Sequence, residues 1–127
     1  DLLQVQEIRR RIRRDDFSLL SGDDQLFLPF LSIGGDGIIS VTSNVIPQRF
    51  TDVFNQFKKG DVKKAAETFT EIFELACAMF IETNPIPVKT ALSLMGMIEK
   101  GFRLPMCDMG SENLSRLTSV LKKNGLI

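Results

Sequence analysis

Apolar positions recur along this chain at helical spacing, then at strand spacing, then at helical spacing again to the end. From Leu2 to Ile12, residues Leu2 or Leu3, Val5, Ile8 and Ile12 fall three and four apart, which predicts a helix with one apolar stripe. Phe17-Ser18-Leu19-Leu20 is a short apolar run of strand length, closed by the turn-forming Ser21-Gly22-Asp23-Asp24. Gln25 to Ile33 returns to helical spacing through Leu26, Phe27, Phe30 and Leu31 and is stopped by Gly34-Gly35. Gly37 to Val41 then reads as a second strand, its β-branched content suggesting burial on both faces.

After Asn44 every segment reads as helix. Pro47 suits a first helical turn, with Phe50, Val53, Phe54 and Phe57 as the apolar face before Lys58-Lys59-Gly60. Asp61 is placed to cap a longer helix reaching about Glu82, whose expected buried stripe is Val62, Ala65, Ala66, Phe69, Phe73, Ala76, Cys77 and Phe80. Pro85 and Pro87 interrupt the chain before a helix from Val88 to about Ile98, and a last helix runs from near Ser111 to Lys122-Lys123-Asn124-Gly125.

The order is helix, strand, helix, strand and four helices. A strand, a helix and a strand this close together imply a parallel crossover unit, and a lone pair of parallel strands does not stand by itself. The order fits the last two strands of a (β/α)8 barrel, with residues 1–58 as its C-terminal part and residues 59–127 as an appended three-helix domain. A doubly wound open sheet is the rival, but the turns lack its glycine-rich phosphate fingerprint. In a barrel, chemistry sits where the strands end, here Ser21 to Asp24 and Ser40 to Asn44.

Composition narrows the chemistry. The chain has 127 residues, no net charge, and no His, Tyr or Trp. Histidine-dependent nucleophiles, His-bearing metal sites and tyrosine acid catalysis cannot be built from it, and no cofactor or metal is expected. Cys77 and Cys107 fit two reduced thiols of a cytoplasmic protein, no apolar run nears a membrane span of about 18 residues, and a first residue other than Met is not expected to be the natural start. Arg9, Arg10, Arg11, Arg13 and Arg14 form a basic face followed by Asp15-Asp16, which reads as a solvated helix face or as a phosphate-binding patch.

Four blocks, LLSGDD from Leu19, GGDGIISVTSNV from Gly34, NPIPVK from Asn84 and RLPM from Arg103, resemble the dihydrodipicolinate synthase and N-acetylneuraminate lyase family, the synthases more than the lyases. The resemblance covers essentially the whole chain and implies the C-terminal portion of a barrel enzyme, a homotetramer that condenses pyruvate with aspartate semialdehyde through a lysine Schiff base. It also implies that this lysine lies outside the chain, so no catalytic residue is expected within it and the N-terminal portion is an expected partner. Gly22 and Ile39 match positions lining the pyruvate pocket, Asp23 and Asp24 carboxylates at the cleft mouth, and Phe80 and Asn84 the cleft wall. Leu2, Leu3 and Ile33 match contacts between dimers.

Plainer roles stand beside these. Gly22 serves a turn, Ile39 fills barrel core, Asp23 and Asp24 cap a helix, and the prolines around Asn84 stiffen a turn. The competing function is a noncatalytic helical interaction module binding nucleic acid through the Arg9 to Arg14 face; against it, a pyruvate enzyme has no nucleic-acid or membrane partner.

Overall fold

The computed structural model describes residues 1–12, 14 and 16–127, and Arg13 and Asp15 of the basic run lie outside the described residues. Helix α1 (Leu2–Arg11) leads to strand β1 (Leu20–Ser21), a 3-10 turn at Asp24–Leu26 and helix α2 (Phe27–Ser32). Strand β2 (Gly37–Ile38) and a second 3-10 turn at Thr42–Asn44 follow, then α3 (Pro47–Lys58), α4 (Val62–Ala78), α5 (Ile86–Leu94) and α6 (Ser111–Lys123).

The strands pair in parallel, Leu20 with Gly37 and Ser21 with Ile38, as the short crossover requires. Their extent is shorter than expected. Only two residues of each strand are laddered, and β2 is half-buried and not enclosed, with Ile39 beyond it 73% exposed. Ladder length and two-sided burial both depend on neighbouring strands, and among the described residues the sheet has none beyond this pair.

Helix ends are set by local chemistry. At the end of α3 the Asp61 N–H donates to the Gln56 carbonyl and the Gly60 N–H to Phe57, with Gly60 at φ +84°, a left-handed conformation that favours glycine. The Asp61 side chain then accepts the Lys64 N–H at 3.1 Å and opens α4, so one residue closes one helix and starts the next. The same glycine-closed pattern ends α6 at Gly125, φ +66°, with Lys122 and Lys123 in its last turn, as the sequence predicts.

Helix α4 differs from expectation in length and phase. It stops at Ala78, and its buried face is Ala65, Thr68, Phe69, Ile72, Leu75, Ala76 and Ala78. Val62, Phe73 and Phe80 of the expected stripe are exposed, because α3 and α6 cover the neighbouring face. Helix α5 likewise starts at Ile86, with Pro87 tolerated in its first turn, and ends four residues before Ile98 at Leu94.

Two apolar clusters share α4. Phe27 and Leu31 of α2, Phe50 and Val53 of α3, and Phe69 and Ile72 of α4 make one; the Phe27 and Phe50 rings stack with centroids 5.6 Å apart. The C-terminal half of α4 joins Val45, Val88 and Ala91 with Leu117, Val120 and Leu121 of α6 in the other. Each fully buried leucine, such as Leu75 or Leu117, contributes about 1.5–3 kcal/mol of apolar burial. By contrast, α1 buries no residue completely and leaves Leu3 open to solvent. The contact that fastens it is polar: Arg9 pairs with Asp36 and donates to the Gly34 carbonyl at 2.8 Å.

Candidate functional site

Gly22 and Ile39 are the residues that follow the last ladder pair, Ser21 with Ile38, and the Ile39 N–H donates to the Ser21 carbonyl at 2.9 Å. The two expected pocket residues therefore lie side by side where the strands end. Gly22 borders a cavity of about 250 Å³, walled by Leu20, Asp23 and Phe30 and, across from them, by Val5 and Ile8 of α1. Nothing in the backbone asks for glycine at position 22. Its φ is not positive, and a Cβ placed there would meet no atom within 4 Å. Among residues 1–127, neither backbone conformation nor packing requires a glycine here.

The adjacent carboxylates have separate jobs. Asp23 accepts the Gln25 N–H at 3.0 Å and caps the 3-10 turn, the plain role the sequence allowed. Asp24 does not cap a helix and does not open on a cleft, for its side chain is 1% exposed. One of its oxygens accepts both the N–H and the hydroxyl of Thr42 at 2.6 Å, and the other accepts the Val41 N–H at 3.3 Å. The expectation that it lines the cleft mouth is corrected accordingly: its acceptors face the end of β2. Ser43 also serves the loop, its hydroxyl donating to the Ser40 carbonyl and its N–H to the Ser40 hydroxyl.

From the helical side, the 3-10 turn after β1 packs on α4, and the turn after β2 packs on α5. Burial pushes the Cys77 thiol pKa up; the Arg116 charge opposes this, and the Asp23 charge adds a smaller push upward. Phe80 and Asn84 follow α4 and are both exposed. Glu82 between them is committed to structure, accepting the Gly110 N–H at 3.0 Å and the Asn113 amide at 2.9 Å at the start of α6.

Lysine placement bears on chemistry. Lys58, Lys63, Lys64, Lys89, Lys122 and Lys123 lie within helices, and Lys59 and Lys100 in connections after them. Lys89, in the NPIPVK block, donates to the Gly101 carbonyl and lies 5.1 Å from the Phe102 ring centre. The basic face of α1 is similarly engaged. Arg10 and Arg11 both pair with Glu7, and Arg14 pairs with Asp16. Each described arginine of that run has a carboxylate within reach, Arg10 and Arg11 sharing Glu7, so the face carries mixed charge and not an uninterrupted positive patch. Among the described residues, no helix is long and apolar enough to cross a membrane.

Sequence reasoning put Thr42 in a strand-end loop without finding its partner, and missed Asp36. Thr42 is fully buried and holds Asp24, and Asp36 accepts the Leu19 N–H at 2.7 Å as well as Arg9. Both signals were present only as polar residues beside a strand, since their partners lie well away in the chain.

Comparison with known proteins places the whole arrangement. The profile of the Dihydrodipicolinate synthetase family matches residues 1–124. The 4-hydroxy-tetrahydrodipicolinate synthase of Hydrogenobaculum sp. (strain Y04AAS1) is 49% identical over 124 residues, covering 98% of this chain and 42% of the relative. That of Thermodesulfovibrio yellowstonii is 47% identical over 127 residues, covering 100% of this chain and 43% of the relative. Among solved structures, dihydrodipicolinate synthase from Aquifex aeolicus superimposes with a TM-score of 0.95 at 44% identity over 99% of this chain and 43% of that one. The Thermotoga maritima synthase gives 0.95 at 39% identity over 100% and 44%. The chain thus spans less than half the length of the relatives it matches. With one family profile running from residue 1 to residue 124 and the backbone following solved members end to end, the chain belongs to the dihydrodipicolinate synthetase family.

Proposed function

We propose that residues 1–127 are the C-terminal part of a (β/α)8 barrel enzyme, contributing its last two strands and an appended helical domain from residue 59 onward. The enzyme is a 4-hydroxy-tetrahydrodipicolinate synthase that condenses pyruvate with aspartate semialdehyde in the cytoplasm, assembled as a homotetramer in which Leu2, Leu3 and Ile33 meet another dimer. The observation that carries this reading is Gly22, a glycine at a strand end with neither a backbone nor a packing reason within residues 1–127 to be one. The exposed Ile39 beside it supports the same reading, as apolar surface of this kind calls for cover by further strands.

The chemistry is that of a lysine amine lying outside these residues. It adds to the pyruvate ketone with loss of water, the imine gives up a methyl proton to form an enamine, and the enamine carbon attacks the aldehyde. The residues of this chain shape and orient. Gly22 leaves room for the keto acid, Ile39 bounds it, and Asp23, Phe80 and Asn84 border the cleft through which the second substrate arrives.

Borohydride trapping with pyruvate tests the assignment. The complete enzyme is expected to gain one reduced adduct, which peptide mapping places outside residues 1–127. An adduct on any lysine of this chain, or none on the complete enzyme, overturns it.

A further inference from the structure

We propose that Asp24 is a positioning residue for the pyruvate-facing backbone, acting through Val41 and Thr42; the inference rests on the site reading given above. Two cross-strand ties bracket the pocket residues. One is the Ile39 N–H on the Ser21 carbonyl at 2.9 Å. The other is the Asp24 carboxylate on the Thr42 N–H and hydroxyl at 2.6 Å each, with Val41 N–H at 3.3 Å.

Together they close a ring that runs from Ser21 to Asp24 along one strand end and from Thr42 back to Ile39 along the other. Gly22 lies in one arm of the ring and Ile39 at the end of the other. Neither arm carries a ladder beyond Ser21 and Ile38, so the carboxylate replaces the missing rungs.

Chemistry explains why a buried acid stands here in place of an apolar contact. A carboxylate offers acceptors with defined directions, and two backbone donors from successive residues fix the peptide planes between them. An apolar pair would hold the strand ends together but leave those planes free to turn. Asp24 and Thr42 are 1% and 0% exposed, so the tie is shielded from competing water. Because the buried carboxylate is spent on Val41 and Thr42, Asp24 acts through them as a positioning residue and not as a catalytic one.

The test uses the complete enzyme with Thr42→Val, Thr42→Ser and Asp24→Asn. Loss of the hydroxyl in Thr42→Val is expected to raise the pyruvate KM roughly ten-fold, with little change in the aldehyde KM, as misplacement of one wall of a small-ligand site does. Thr42→Ser, which keeps the donor, should restore the wild-type pyruvate KM, and Asp24→Asn should exceed Thr42→Val. A folded Thr42→Val enzyme with a lower melting temperature but an unchanged pyruvate KM overturns the proposal, leaving Asp24 a purely structural group.

Should Asp24→Asn fail to fold, Thr42→Val decides alone. In the wild type, the Thr42 amide should exchange hydrogen as slowly as the core of α4, and exchange at loop rates also counts against the tie. Failure of the underlying reading looks different: wild-type enzyme then forms no borohydride adduct with pyruvate at all.

Discussion

Gly22→Ala separates a pocket from a turn. Among residues 1–127 the added Cβ meets nothing within 4 Å and the backbone is not left-handed, so these residues impose no clash and no dihedral strain. What remains is the loss of freedom in the unfolded chain, which stabilises by about 0.4–1 kcal/mol. For the complete enzyme, of which these residues are less than half, that raises the melting temperature by only about 1–2 °C. Binding should move the other way. A methyl group placed where a three-carbon keto acid must lie costs about 1–3 kcal/mol, or roughly a 10–200-fold loss in pyruvate kcat/KM. Differential scanning fluorimetry and initial rates on the complete enzyme read both quantities from one preparation. A variant that melts several degrees lower with pyruvate kinetics intact refutes the reasoning, because it shows that the glycine serves the fold.

Gly35 is the opposite case: a Cβ there would lie 2.1 Å from two Phe30 ring carbons and 2.8 Å from the Phe30 carbonyl, so Gly35→Ala should destabilise by about 1–3 kcal/mol or more in a urea titration. A wild-type midpoint would show that α2 and Phe30 yield more readily than their packing indicates. Asp36 governs acid stability. The Leu19 N–H first, and the Arg9 guanidinium after it, hold its carboxyl below the ordinary aspartate value. The unfolded chain therefore binds this proton more readily than the folded one, so the contribution is complete above about pH 4 and is lost as pH falls through the folded pKa. Asp36→Asn should lower stability at neutral pH and shrink the loss between about pH 4 and pH 2 seen in the wild type; parallel acid limbs for the two proteins would exclude the pairing as its source.

Much of the helical part was legible because its determinants are local. Asp61, Gly60, Gly125 and the prolines act on residues within a turn or so of themselves, and each does what its type and place suggest. The parallel strand pair was legible too, from two short apolar runs around a helix of limited length. The phase of α4 was not. Phe73 and Phe80 are as apolar as Ile72 and Met79, and only the positions of α3 and α6 decide which side is buried. Strand length failed for the same reason, since rungs belong to pairs and not to sequences. Asp24 was misread as a cap or a cleft group because its adjacent twin, Asp23, takes the cap, and its own donors sit at Val41 and Thr42 on the far side of the crossover.

The shared residue between α3 and α4 has a bearing on how the chain folds. Because Asp61 ends one helix and begins the other, only the three residues Lys59 to Asp61 separate them, and bringing the two together carries little closure entropy. Contacts of this local kind form fastest, so the α3–α4 hairpin is the expected starting point of folding, with α2 docking on its first half and α6 on its second. The strand ends, held by two rungs and a buried carboxylate, then assemble against a helical frame that is already in place.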